Sequence, residues 1–160
     1  MMKRLLPLLL CWVSASSLAK EQIAVDAIEA KLFYQYSGRF SSAIRSTDFL
    51  NNVFVGEYII EGDTKAEPAD TVLIDVAVSM PPGKDAFGEV ELLITDLKTK
   101  RTLARMQHDI GKFSEAGVSH VAFLFPFGCA GVRLEARAKT AGIPAYSASK
   151  WMSLPFGCGE

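Results

Sequence analysis

The chain has 160 residues, 49% of them hydrophobic, and a formal net charge of −1 at pH 7. This length suits one domain. The near-neutral charge gives no electrostatic reason to expect a nucleic-acid partner.

The first residues have the layout of a cleavable secretory signal. Lys3 and Arg4 give a basic start, Leu5 to Val13 form an apolar run, and the residues up to Ala19 are mostly small or polar. A membrane-spanning helix takes about 20 apolar residues, so a permanent anchor is the poorer interpretation. The layout predicts a signal peptide over residues 1–19 and a periplasmic or secreted protein.

Cys11 offers a second cleavage site, because Leu8-Leu9-Leu10-Cys11 resembles the lipobox of bacterial lipoproteins. That pattern has a small residue where Leu10 stands, so we favour cleavage after Ala19. Residues 20–160 then form a single domain with 15 basic and 18 acidic side chains, because Lys3 and Arg4 leave with the signal. No segment of this domain is apolar for long enough to span a membrane.

The mature sequence has mostly the period of two that is typical of half-buried strands. The clearest case is the segment 132–139, in which apolar residues at the even positions alternate with charged residues at the odd positions. This alternation predicts that one face of the strand is exposed to solvent. The strong segments are 28–36, 71–79, 89–97, 119–127 and 132–139, and the weaker ones are 53–60, 102–108 and 149–156. This pattern predicts an all-β fold, an antiparallel β-sandwich of about eight strands with immunoglobulin-like or C2-like architecture.

Residues 37–52 interrupt the alternation. Ser46, Thr47 and Asp48 are suited to cap a short helical turn over residues 49–52, and a long loop is the alternative. Long loops in compact domains are often functional. A plain crossover between two sheets explains the segment equally well.

A tetrapeptide occurs twice, as Pro126-Phe127-Gly128-Cys129 and as Pro155-Phe156-Gly157-Cys158. Disulfides persist outside the cytoplasm, so we predict one disulfide between Cys129 and Cys158. Free thiols or an intermolecular bridge are the alternatives. In a simple meander the strands before these cysteines would lie about 10 Å apart. A disulfide needs Cα atoms about 4.4 to 6.8 Å apart, so the loops must bend together or the strands must be closer neighbours.

Residues suited to catalysis or metal binding are few. His108 and His120, with Asp109, would form a metal site only if their strands were adjacent, and we favour solvent-facing histidines. Ser147-Ala148-Ser149-Lys150 resembles the S-x-x-K motif of penicillin-binding proteins and β-lactamases, but its companion motifs are missing. The sequence therefore predicts no catalytic residue, no metal and no cofactor.

Five carboxylates surround one segment and are of the type that binds calcium, although the EF-hand spacing is missing. An acidic, solvated loop is the interpretation we favour. They are Glu57, Glu61, Asp63, Glu67 and Asp70.

The candidate binding residues are Phe33, Arg39 and Phe40. Phe33 breaks the alternation of its strand, because it falls on the side of Lys31 and Gln35. Phe40 follows Gly38 and Arg39 in the interrupted segment. Exposed aromatic and arginine side chains are favoured at protein interfaces.

These observations predict an exported, non-catalytic binding protein of the bacterial envelope. It would recognise another protein through a loop or an exposed strand edge, as an inhibitor, immunity protein or adaptor does. The alternatives are a module that binds a glycan, lipid or calcium ion, and a small hydrolase that uses Ser147 with Lys150 or a metal at His108 and His120.

Overall fold

A computed structural model describes residues 22–45, 50–54, 57–60, 67–82, 87–126 and 128–157. These residues form strands and no helix. The strands are β1 (Ala24–Tyr34), β2 (Arg39–Phe40), β3 (Leu50–Phe54), β4 (Glu57–Ile60), β5 (Thr71–Ser79), β6 (Gly88–Asp96), β7 (Thr102–Asp109), β8 (Val118–Pro126), β9 (Val132–Thr140) and β10 (Lys150–Leu154). In this part of the chain, no helix is long and apolar enough to cross a membrane.

The strands form a β-sandwich, as the alternation predicts. The first sheet has the order β2-β1-β5-β8 and the second has the order β10-β9-β6-β7. All neighbouring strands are antiparallel, and β3 and β4 form a separate two-stranded hairpin. The prediction of an all-β antiparallel sandwich is therefore confirmed.

The core lies between the two sheets and is built from the inward positions of the alternating strands. Leu32, Val76, Leu92 and Leu134 are fully buried, as is Phe123. Burying such a side chain is worth about 1.5 to 3 kcal/mol. Because successive side chains of a strand point to opposite faces, the residues next to these core positions point to the outer faces of the sheets. Phe33 and the charged residues of β9 are among them.

The five strong strand predictions agree with β1, β5, β6, β8 and β9 to within a few residues. The first of them extends too far, because β1 ends at Tyr34. Tyr36, which the alternation assigns to the core face, lies instead in the following turn and is 85% exposed.

Two predictions for the middle of the chain are wrong. Residues 53–60 are not one strand but parts of β3 and β4, and residues 50–52 are strand rather than helical turn. Pairing with β4 gives these backbone groups partners, which one isolated helical turn would leave unsatisfied. The predicted cap, Ser46 to Asp48, lies outside the described residues.

The last three strands do not form a meander. β8 belongs to the first sheet, whereas β9 and β10 pair in the second sheet with Leu154 opposite Val132. Cys129 lies in the connection from β8 to β9 and has an interaction partner. Cys158 lies outside the described residues, so the disulfide stays a prediction.

Candidate binding surface

The candidate residues Phe33 and Phe40 come together on the outer face of the first sheet. They lie directly opposite each other in β1 and β2, and their ring centroids are 5.2 Å apart with an interplanar angle of 42°. Phe33 points outward because Leu32 and Tyr34 occupy the core on either side of it. Phe40 is 47% exposed, so the pair presents an aromatic surface to solvent.

A tight turn makes this pairing possible. Gly38 has a φ of +67°, a conformation that is easy for glycine and rare for other residues. Its N–H donates a 2.8 Å hydrogen bond to the carbonyl of Tyr34, and the chain reverses into β2. Beyond β2, the N–H of Ser41 donates to Leu32 and that of Ile44 donates to Ala30. Part of the interrupted segment therefore runs along the edge of β1.

Arg39 precedes Phe40 in β2 and is opposite Tyr34 in the ladder, so its side chain is directed to the face of Tyr34 and not to the face of the two phenylalanine rings. Its Nη2 atom lies 3.3 Å from Oε1 of Glu67. The other oxygen of Glu67 accepts a 3.1 Å hydrogen bond from the N–H of Ser37. Glu67 therefore holds the turn and the guanidinium together, and Arg39 stays more than half exposed.

Apolar side chains extend this surface across the sheet. Leu73 lies opposite Lys31 on one side and Leu124 on the other, one row from Phe33. Leu73 is half-buried, whereas Leu124 is 59% exposed. We call Phe33, Phe40, Leu73 and Leu124 the aromatic patch.

Leu73 and Leu124 are not among the candidate residues predicted from the sequence, although the strand pattern contains a signal for them. Both occupy the outward positions of alternating strands, where a polar residue is usual. The same rule identified Phe33. Farther along this face lies a polar pair, with Nδ1 of His120 2.8 Å from Oδ2 of Asp75.

The two histidines lie on different sheets. His108 is in β7, where its ring meets that of Phe123 edge-on with centroids 5.0 Å apart, and His120 is in β8. Both are exposed. Among the described residues, no group of three histidine, cysteine or acidic side chains is placed to hold a metal ion.

Ser147 has a structural contact. Its Oγ accepts a 3.0 Å hydrogen bond from the N–H of Ala138, and its own N–H donates to the carbonyl of Ala138. These bonds fasten the β9–β10 connection to β9. Lys150 is an exposed residue at the start of β10 and pairs with Ala136.

The acidic segment is described only in part. Glu67 is engaged by Arg39, and Oδ1 of Asp70 accepts hydrogen bonds from Gln35 and from Oγ1 of Thr71. Glu61 and Asp63, and the side chain of Glu57, lie outside the described residues.

A shallow hollow of about 450 Å³ lies at one end of the second sheet, away from the aromatic patch. Phe87, Glu89, Asp109 and Lys139 are among its lining residues. Oε1 of Glu89 lies 4.0 Å from the Lys139 ammonium and 3.4 Å from the hydroxyl of Tyr146. Glu89 and Lys139 therefore already have partners.

Comparisons with known proteins add no relative from which a role could be carried over, because no family model and no curated protein matches the chain.

Proposed function

We propose that this chain is an exported, non-catalytic binding protein of the bacterial envelope that recognises another protein through the aromatic patch. The observation that carries the proposal is the ring pair of the half-buried Phe33 and the exposed Phe40 on the outer face of the first sheet. Aromatic side chains, phenylalanine among them, are enriched at the centres of protein interfaces. An apolar surface of this kind on a folded domain favours a contact role.

The layout of the patch suits a protein partner better than a small molecule. The patch lies on an outer sheet face rather than in a concavity, whereas small-molecule sites are mostly enclosed. The exposed Arg39 and Tyr36 lie at the β1–β2 turn next to it and are suited to polar contacts at its border. An inhibitor, immunity protein or adaptor would use such a surface.

Export to the periplasm or the medium, after cleavage of residues 1–19, belongs to the same proposal. A disulfide between Cys129 and Cys158 would persist there. The β9–β10 register supports this pairing, because extending it outward from Leu154 and Val132 places position 157 opposite Cys129. Cys158 is the next residue along.

The sandwich is proposed to be immunoglobulin-like rather than C2-like. The order β10-β9-β6-β7 corresponds to strands G, F, C and C′ of immunoglobulin-like sheets, and β1-β5-β8 corresponds to strands A, B and E. Many cell-surface binding domains share this architecture, although architecture alone does not establish function.

The test is capture of the partner by the mature protein, tagged at its N-terminus and cross-linked in its own envelope. We expect a stoichiometric partner with the wild type and its loss with Phe33→Ala or Phe40→Ala. Trp151→Ala is the matched control, because Trp151 is 60% exposed but lies on the second sheet. Equal capture by all three variants would overturn the role of the patch, and a wild type that captures no protein would overturn protein recognition.

A small-ligand module is the second candidate, and the hollow beside Phe87 favours it. Phe87 is 80% exposed, so a glycan or lipid could lie on its ring. A thermal-shift screen against glycans, lipids and calcium tests this alternative. A shift that Phe87→Ala abolishes and Phe40→Ala leaves unchanged would favour the hollow over the patch.

A further inference from the structure

Strand β8 differs from the other long strand at a sheet edge. It pairs with β5 from Val118 to Pro126 without a bulge, and it contains no lysine, arginine, aspartate or glutamate. Strand β7, at the edge of the second sheet, contains Arg105 and Asp109 and has a register shift. Natural edge strands usually carry such charges or bulges to prevent pairing with another chain. β8 lacks both.

The hydrogen-bond phase of the first sheet shows which groups β8 presents at its free edge. Ala30 and Leu32 accept bonds from the segment beside β2, so residues 29, 31 and 33 bond to β5. The alternate residues of β5, from Val72 to Val78, then bond to positions 119, 121, 123 and 125 of β8. His120, Ala122 and Leu124 therefore direct their N–H and C=O groups away from the sheet.

His120, Ala122 and Leu124 form a strip of outward-facing backbone groups, and the residue that follows this phase at each end, Val118 or Pro126, cannot extend it. Val118 accepts a 2.8 Å hydrogen bond from the N–H of Ser114, and its own N–H donates to Oγ of Ser114 at 3.2 Å. Pro126 also faces away from β5, but proline has no N–H group to donate. An edge strand tolerates proline at such a position. In the part of the chain that the structure describes, no strand covers the strip between them.

We propose that β8 pairs antiparallel with β8 of a second copy of this chain, about a two-fold axis at Ala122. The strip is its own complement in this arrangement, because His120 of one copy pairs with Leu124 of the other and Ala122 pairs with itself. The N–H and C=O groups of all three residues point away from β5 and toward the second copy, so the two strands exchange about six backbone hydrogen bonds. Val118 and Pro126, which bound the strip, lie equally far from Ala122 and face each other across the axis.

The side chains allow this pairing. The outer-face pairs place His120 beside Leu124 and Ala122 beside Ala122, so no like charges lie opposite each other. On the inner face, Val121 lies beside Phe123. A contact that uses the same surface of both subunits closes as a dimer and does not continue as a fibre. The first sheets of the two copies join into one sheet of eight strands.

This inference does not rest on the proposed function, which the Phe33–Phe40 pair carries toward the opposite edge of the first sheet; Leu124 alone belongs to both the aromatic patch and the β8 edge. The test is the molar mass of the mature protein by sedimentation equilibrium over a concentration series. We expect a mass twice that of the monomer for the wild type and the monomer mass for Ala122→Lys, which opposes two ammonium groups at the axis. Gln107→Lys on the edge strand β7 is the matched control and keeps the dimer.

A second variant tests whether Ala122 of one copy faces Ala122 of the other, and this test does not depend on the folding of the lysine variant. Ala122→Cys is nearly isosteric and places two thiols opposite each other at the axis, with Cα atoms about 5.5 Å apart. A short bis-maleimide that reacts with both thiols then gives a covalent dimer, whereas Gln107→Cys gives none. A monomeric wild type, a dimer that survives Ala122→Lys in a folded variant, or the absence of the Ala122→Cys cross-link would each overturn the proposal.

Discussion

The outer faces of the two sheets both carry exposed aromatic rings, but the rings of the two faces have different contacts. On the second sheet, each cation of β9 contacts both a carboxylate and a ring. Arg133 contacts Glu135 and Trp151, Arg137 contacts Glu91 and Tyr146, and Lys139 contacts Glu89 and Tyr146. On the first sheet, in the part of the chain that the structure describes, no cation stacks on Phe33 or Phe40.

Exposure alone therefore does not identify a contact surface. Trp151 is more exposed than Phe40, yet the Arg133 guanidinium lies 4.7 Å from the centre of its ring. The cation–π contact with Arg133 therefore stabilises Trp151 within its own chain. Phe40 has only the half-buried ring of Phe33 beside it, which leaves the patch available for a partner.

The largest expected effect comes from breaking the ion pairs of the second face. Glu91 is only 1% exposed, and Nε of Arg137 donates a 2.7 Å hydrogen bond to its Oε2. Arg137→Ala removes the closer partner of a buried carboxylate, which should lower the free energy of unfolding by about 3 kcal/mol. Urea denaturation measures the change.

Arg105→Ala is the matched control for this variant because Arg105 reaches the same carboxylate. Its Nη1 lies 3.5 Å from Oε1 of Glu91, and its side chain is 61% exposed. An exposed pair of this kind is worth less than about 1 kcal/mol. Equal losses for the two arginine variants would contradict the assignment of Arg137 as the principal partner.

A smaller effect should separate two side chains of nearly equal exposure on the two faces. Trp151 is 60% exposed and Leu124 is 59% exposed. Trp151→Ala should lower the free energy of unfolding by about 1 kcal/mol, because it removes the contact with Arg133. Leu124→Ala should change it by no more than about 0.5 kcal/mol. Thermal unfolding of both variants measures the difference, and a greater loss for Leu124→Ala would reverse the comparison.

The sequence predicts the parts of this structure that depend on local pattern. The period of two assigns the inward positions of β5 and β9 and identifies Phe33 as an outward aromatic. It does not predict that Phe40 lies opposite Phe33, because that register depends on the turn at Gly38. Glu91 was not singled out because its partner Arg137 lies 46 residues away, across the β6–β9 ladder.

The order of the strands is likewise beyond the local pattern. Alternation does not say that the chain crosses to the other sheet between β8 and β9, so it does not place the Cys129 connection beside the end of β10. The free edge of β8 was also not identifiable, since it depends on which strand has no neighbour. Alternation even misassigns residues 53–60, because two short paired strands and one longer strand have similar patterns.

The smallest expected effect concerns the turn that joins β6 to β7 in the second sheet. Oδ1 of Asp96 accepts hydrogen bonds from the N–H groups of Thr99, at 2.7 Å, and Lys98, at 2.8 Å. These bonds, the one from Thr99 above all, hold the pKa of the Asp96 carboxyl below its usual value. A carboxyl whose pKa is lower in the folded state stabilises the fold above its unfolded pKa of about 3.9, and this contribution is lost as pH falls through the folded pKa.

Asp96→Asn should therefore lower stability slightly at pH 7, and the difference from the wild type should shrink as the pH falls below about 4. Denaturation of both proteins at a series of pH values measures this. Lys98→Ala is the control, because it keeps both backbone donors and removes only the weaker attraction of the ammonium group. If Asp96→Asn differed from the wild type by the same amount at every pH, the turn would depend on the shape of the side chain and not on its charge.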